Sequence, residues 1–139
     1  MSDQTVRLVW FAMLVLHGLG HAGALGSLAV IAARPDADTG AWTAARSWLL
    51  SSLPPGTATL LASGYWIASL VGFLAAALLF WFGSGDTWQS VAIVSSLISV
   101  SGIIAFFGTW PPFNTVAALA VDAVVIGALV FAHWTPPAG

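Results

Sequence analysis

Four long apolar segments divide the chain, at residues 8–31, 58–82, 90–107 and 114–133. Each is continuous rather than alternating, and each is long enough as a helix to cross about 30 Å of hydrocarbon at about 1.5 Å per residue. Short connections that contain glycine or proline, 83–89 and 108–113, join the last three segments and require antiparallel neighbours. The pattern therefore predicts one all-α integral membrane domain over residues 1–139, an up-down four-helix bundle.

The connection between the first two segments is longer and contains a second pattern. Within residues 41–53, Trp42, Ala45 and Leu49 recur at spacings of three and four, while Arg46 lies off this stripe. Such a pattern is typical of a short amphipathic helix in the headgroup layer. We expect an interfacial helix over 41–53, and an ordered surface loop is the alternative that the spacing leaves open.

Composition and charge exclude several classes of protein. The chain is 59% hydrophobic and 6% charged, whereas soluble proteins have about 25% charged residues. A net charge of −2 provides no basic patch for nucleic acid, and the absence of cysteine excludes disulfides, thiol chemistry and iron–sulfur ligation. The lipid bilayer is therefore the expected partner. Arg7 lies on one side of the first span and Arg34 and Arg46 on the other, a balance that does not fix the orientation.

Each predicted span has one polar face. At 100° per residue, His17 and His21 share a face of the first span, and Asp122 shares a stripe with His133 on the last. The other polar or aromatic positions that we expect around an internal pocket are Trp10, Tyr65, Ser69, Ser95 and Ser99.

Hydrocarbon penalises unpaired ionisable groups, so we expect these faces to point inward. Counted from the end of the first span at about 1.5 Å per residue, His21 and Asp122 lie at similar depths. The sequence therefore predicts that His21 contacts Asp122, directly or through one water.

The chemistry open to this layer includes metal binding. His17 and His21, at i and i+4, supply two ligands from one helix face, and Asp122 supplies a third for zinc or iron. Haem is a weaker alternative, because one helix cannot place both histidines on opposite sides of the ring and His133 would have to be the second ligand. The spacing alone leaves the cofactor open.

Two kinds of function remain. In the first, the layer binds a small apolar ligand or a metal, or specifies helix packing through interhelical hydrogen bonds. In the second, His17, His21 and Asp122 perform acid–base catalysis, as in an isomerase or cyclase acting on a lipid-like or isoprenoid substrate. The sequence leaves open whether the protein is an enzyme and whether it forms a homo-oligomer.

Tryptophans lie mainly near the ends of the predicted spans. This is the usual position of rings that have an apolar body and one polar edge. We expect six of them to anchor the bundle at the membrane interfaces: Trp10, Trp66, Trp81, Trp88, Trp110 and Trp134.

The histidine stretch Leu16-His17-Gly18-Leu19-Gly20-His21, followed downstream by Phe107-Gly108-Thr109 and Asn114-Thr115, resembles a group of small bacterial four-span membrane proteins of unknown function. The resemblance covers the centre of the first span and the start of the last, and residues 110–113 depart from the pattern as an insertion. It implies a role for the histidines beyond packing and a location in the bacterial inner (plasma) membrane.

Overall fold

A computed structural model describes residues 2–83 and 85–135. Four helices follow one another in the order α1 (Asp3–Ala33), α2 (Pro55–Phe82), α3 (Thr87–Ala105) and α4 (Pro112–Ile126), and α4 continues into one turn of π-helix, Gly127–Phe131. The described ranges contain no strand. The predicted all-α four-helix bundle is confirmed.

The helix boundaries follow from local chemistry. Ser2 caps α1, because its side chain accepts a hydrogen bond from the Thr5 N–H. Pro55 and Pro112 occupy the first positions of α2 and α4, where a missing N–H costs nothing. The helices begin two to five residues before the predicted spans, because those spans were defined by apolar residues and the capping residues are polar or proline.

The outward surface of the bundle is apolar. All four helices, counting α4 through Phe131, are long and apolar enough to cross a membrane. Large side chains such as Leu16, Leu60 and Phe113 are 67%, 72% and 82% exposed. Such side chains on every helix are stable in lipid rather than in water, so the chain is an integral membrane protein whose outer surface contacts the bilayer.

Glycines allow the first three helices to approach closely. A methyl group at Gly102 of α3 would lie 2.8 Å from Tyr65 Cβ of α2, and one at Gly18 of α1 would lie 3.3 Å from Phe73 Cβ of α2. Small residues at helix interfaces are the usual basis of tight packing in membranes. Helices that are consecutive in the chain, α1 with α2 and α2 with α3, are therefore also in close contact.

The structure of residues 41–53, here named the strap, differs from the predicted interfacial helix. It is not an interfacial helix but an irregular segment that ends in turns. The Thr43 N–H donates to the Thr109 carbonyl, and the Trp48 indole N–H donates to the Ile104 carbonyl. Because these bonds connect the strap to the end of α3 and to the α3–α4 connection, tertiary pairing replaces the helical hydrogen bonds that the amphipathic spacing suggested.

The end of α4 also differs from the sequence expectation. In the π-turn, the Ala132 N–H donates to the Gly127 carbonyl at 3.0 Å, which adds one residue to the turn. The helical stripe that was expected to connect Asp122 with His133 is therefore interrupted. His133 lies beyond the helix, exposed and with a φ of 48°.

Candidate functional site

A polar layer crosses the bundle between two apolar clusters. One cluster includes Ala24, Trp66 and Phe106 and lies toward the strap. The other includes Leu14 and Phe73 and lies toward the chain termini. Between the two clusters, the described helices bury the polar side chains of His17, His21, Ser69, Ser95, Ser96, Ser99 and Asp122.

Hydrogen bonds join three helices within this layer. The His17 Nε2–H of α1 donates to Asp122 Oδ1 of α4 at 3.0 Å, and the Ser99 hydroxyl of α3 donates to Asp122 Oδ2 at 2.7 Å. His21 Nε2 lies 3.2 Å from Ser99 Oγ. His17, rather than the predicted His21, is therefore the direct partner of the carboxylate, and His21 reaches it through the serine hydroxyl.

The pairing of Asp122 with His17 instead of His21 is related to the position of the α3–α4 connection. Trp110 precedes α4, yet it is only 7% exposed, and its ring centroid lies 5.2 Å from that of His21. Trp110 therefore packs beside His21, and Asp122, about three helical turns further along the chain, lies at the level of His17.

Counting donors fixes the proton on His21. The single hydroxyl proton of Ser99 is used in the bond to Asp122, so the Ser99 oxygen can only accept from His21. His21 therefore carries a proton on Nε2. Its Nδ1 is buried and has no hydrogen-bond partner among the described residues, as is also true of the indole nitrogens of Trp66 and Trp110.

A groove runs between α1 and α4 and reaches the polar layer at His17. Its volume is about 330 Å³. Its lining residues come from both helices and the connection before α4: Met13, Leu16, His17, Gly20, Trp110, Phe113, Asn114, Ala117, Ala118 and Val121. His17 is the ionisable residue of this set, and its side chain is 5% exposed while Asp122 behind it is fully buried. The groove is therefore largely apolar with one imidazole at its base.

The remaining predicted pocket residues lie elsewhere. Ser69 and Ser95 donate to carbonyls of their own helices, at Tyr65 and Val91, with distances of 2.9 and 2.7 Å. Tyr65 packs on Phe106, with ring centroids 6.2 Å apart. These three side chains therefore serve helix packing in the structure.

The aromatic residues at the other end of the bundle form a separate group. Trp10 stacks on Trp134 at 4.6 Å between centroids and meets Trp88 edge-on at 6.2 Å. Trp88 is 2% exposed and Trp66 is 1% exposed, so the prediction of interface anchors is wrong for these two residues and for the buried Trp110. No signal in the sequence separates a buried tryptophan near a span end from an interfacial one.

The layer does not have the form of a metal site. Within residues 2–83 and 85–135, no group of three or more His, Asp or Glu side chains is arranged to hold a metal ion. His21 Nε2 is directed at Ser99, while His17 Nε2 is directed at Asp122. The two imidazoles thus form separate hydrogen bonds instead of converging on one point.

Comparison with known proteins provides no family assignment. No protein-family model matches the chain, and no curated protein or solved structure matches it significantly. The function must therefore be inferred from the polar layer and from the groove that reaches it.

Proposed function

We propose that the protein binds a small molecule with an apolar body and a hydrogen-bonding head group in the groove between α1 and α4. The observation that carries this proposal is that His17 lines a groove that is otherwise mainly apolar. A volume of about 330 Å³ falls at the lower end of the range of small-molecule pockets, about 300 to 1,000 Å³.

The polar layer supports the proposal by fixing the His17 ring. The bond to Asp122 occupies Nε2, so Nδ1 is the ring nitrogen left for a head group. With the proton on Nε2, Nδ1 is an acceptor, and it suits a hydroxyl group on the ligand. Ser99 in turn orients Asp122, so that three helices hold one imidazole in place at the base of the groove.

The position of the groove supports an apolar body. Leu16 and Phe113 line it and are also among the most exposed apolar side chains of the bundle. Exposed apolar side chains on a transmembrane helix contact acyl chains, so the groove opens toward lipid. A ligand that partitions into the bilayer reaches this groove without crossing water. We propose a bacterial plasma membrane as this bilayer, because the histidine stretch resembles that of small bacterial four-span membrane proteins.

Photolabelling tests the proposal. The probes are a diazirine-labelled decanol and the matching diazirine-labelled decane, applied to the protein in nanodiscs. We expect the alcohol to label peptides of α1 and α4 more strongly than the alkane does. His17→Phe should reduce labelling by the alcohol to the level of the alkane, because the head group loses its acceptor.

A pair of glycine variants provides the matched control. A side chain at Gly20 or at Gly23 meets nothing within 4 Å, but only Gly20 lines the groove. Gly20→Leu should therefore block labelling by the alcohol, and Gly23→Leu should leave it unchanged. Equal labelling by alcohol and alkane, unaffected by Gly20→Leu, would contradict ligand binding in the groove.

A second candidate function, acid–base catalysis on the same ligand, is favoured by the His17–Asp122 pair. A carboxylate that orients one imidazole nitrogen while the other faces the ligand is the arrangement of a general base. The test is incorporation of solvent deuterium into the molecule recovered with the protein. Asp122→Asn should abolish incorporation while the helical circular dichroism is retained, and incorporation that persists in this variant would rule out the pair as the base.

A further inference from the structure

Arg46, a positively charged residue of the strap, lines two cavities at the same end of the bundle. One cavity, of about 390 Å³, is lined by Thr43, Ala44, Arg46, Phe107, Gly108 and Thr109. The other, of about 420 Å³, includes Ala44, Arg46, Ser51 and Thr59 in its lining. Arg46 is the charged residue of both linings.

The backbone on either side of Arg46 is fixed. Ala45 is 2% exposed within the apolar cluster near the strap, and Ser47 is 7% exposed with its hydroxyl accepting from the Leu50 N–H. Arg46 between them is exposed, so its side chain points away from the buried cluster. It lines both cavities.

This cation has no carboxylate partner in the described part of the chain. The ion pair recorded there joins His17 to Asp122, far from the strap. Thr109, which lines the first cavity, is 2% exposed, and its hydroxyl has no hydrogen-bond partner among the described residues. An unpaired guanidinium and an unpaired hydroxyl in one lining are donors that suit an anionic oxygen.

The surroundings of the cavities are apolar. Trp48 and Leu49 of the strap are 62% and 54% exposed, and Phe107, which also lines the first cavity, is 65% exposed. A soluble phosphate gains nothing from such neighbours, whereas the acyl chains of a lipid do. Arginine pairs well with phosphate through two parallel N–H donors, and tryptophan is typical of the headgroup level.

We propose that Arg46 and the cavity beside it form a binding site for the phosphate of an anionic membrane phospholipid. The guanidinium contacts the phosphate oxygens, and the acyl chains lie along Phe107 and Trp48. This site is separate from the α1–α4 groove, and it does not depend on what the groove binds.

Native mass spectrometry of the intact protein in detergent tests the site. The protein is titrated separately with phosphatidylglycerol, phosphatidylcholine and inorganic phosphate. Wild type should retain phosphatidylglycerol in preference to phosphatidylcholine. Arg46→Gln should bind phosphatidylglycerol about fivefold more weakly, the contribution expected of one basic residue near an anionic lipid surface.

Two further variants sharpen the result. Arg34→Gln removes a cation from the same end of the bundle, at the C-cap of α1 and outside both cavity linings, and should leave phosphatidylglycerol binding unchanged. Arg46→Lys keeps the charge but loses the paired donors, so its affinity should lie between wild type and Arg46→Gln.

Three outcomes would overturn the proposal. Unchanged binding in Arg46→Gln would remove the arginine from the site. An equal loss in Arg34→Gln would reduce the effect to overall charge. Displacement of the lipid by inorganic phosphate would assign the site to a soluble anion. Helical circular dichroism of each variant establishes that the bundle is folded, as expected for changes at an exposed side chain.

Discussion

The imidazole of His17 and the carboxylate of Asp122 form the one direct contact between ionisable side chains that joins α1 to α4, at 3.0 Å. His17 also lines the groove between the two helices, which extends from Trp110 and Gly20 to Met13 and Val121. The pair therefore has two consequences. It holds α4 against α1, and it orients His17, the ionisable side chain among the described residues that line the groove.

Removing the carboxylate should strongly destabilise the bundle. Asp122→Ala leaves the His17 N–H and the Ser99 O–H without an acceptor, and we expect a loss of about 3 kcal/mol in the free energy of unfolding. Unfolding in mixed detergent micelles, followed by circular dichroism, measures this loss. Asp36→Ala, at an exposed acid in the turn after α1, should change stability by less than about 0.5 kcal/mol. Equal effects of the two substitutions would contradict the buried pairing.

Ser99 and Asp122 should be energetically coupled. A double-mutant cycle of Ser99→Ala and Asp122→Asn should give a coupling energy of about 0.6 to 1.7 kcal/mol, the range measured for hydrogen bonds between transmembrane helices. Ser69 is also buried but bonds to Tyr65 of its own helix. The same cycle with Ser69→Ala should therefore give no coupling, and a coupling as large as that of Ser99 would rule out a specific Ser99–Asp122 bond.

Two glycine substitutions should have opposite effects. The methyl group of Gly102→Ala would lie 2.8 Å from Tyr65 Cβ, an atom that cannot move without its helix. We expect a loss of about 1 to 3 kcal/mol from overpacking. Gly64→Ala, on the exposed face of α2 where a methyl group meets nothing within 4 Å, should be neutral or stabilising by up to about 1 kcal/mol. If Gly102→Ala, like Gly64→Ala, did not lower the free energy of unfolding, α2 and α3 would not be in close contact at Gly102.

Releasing the strap should expose it to trypsin. The Thr43 hydroxyl donates to the Gly108 carbonyl at 3.0 Å and the Trp48 indole to the Ile104 carbonyl at 2.6 Å. In Thr43→Val/Trp48→Phe both bonds are lost, and cleavage after Arg46 should become on the order of tenfold faster. Thr59→Val, whose hydroxyl bonds within α2, is the control and should be cleaved at the wild-type rate. Equal cleavage of all three proteins would show that these bonds do not hold the strap.

The fold was predictable because membrane helices satisfy their hydrogen bonds locally. Continuous apolar segments and the prolines at 55 and 112 are sufficient to place four helices, since no partner from elsewhere in the chain is needed. The strap was not predictable for the opposite reason. Its structure depends on carbonyls at Ile104, Gly108 and Thr109, more than fifty residues away, and no local spacing encodes such partners.

The members of the polar layer were predictable, but their pairing was not. Periodicity places His17, His21, Ser99 and Asp122 on inward faces, because an isolated polar group in hydrocarbon is costly. Which histidine meets the carboxylate depends on how far α4 is shifted along α1, and the spacing of residues within one helix does not determine that shift. The groove depends on the separation of α1 and α4, which is a property of side-chain volumes and not of their periodicity.

The π-turn at residues 127–131 changes the direction in which the side chains that follow it point. One additional residue in a turn offsets every later position by about 100° around the axis. The stacking of Trp134 on Trp10 therefore depends on the one extra residue in the π-turn. Deleting one residue from this turn would restore an ordinary helix, rotate Trp134 away from its partner and carry His133 to a different side of the molecule.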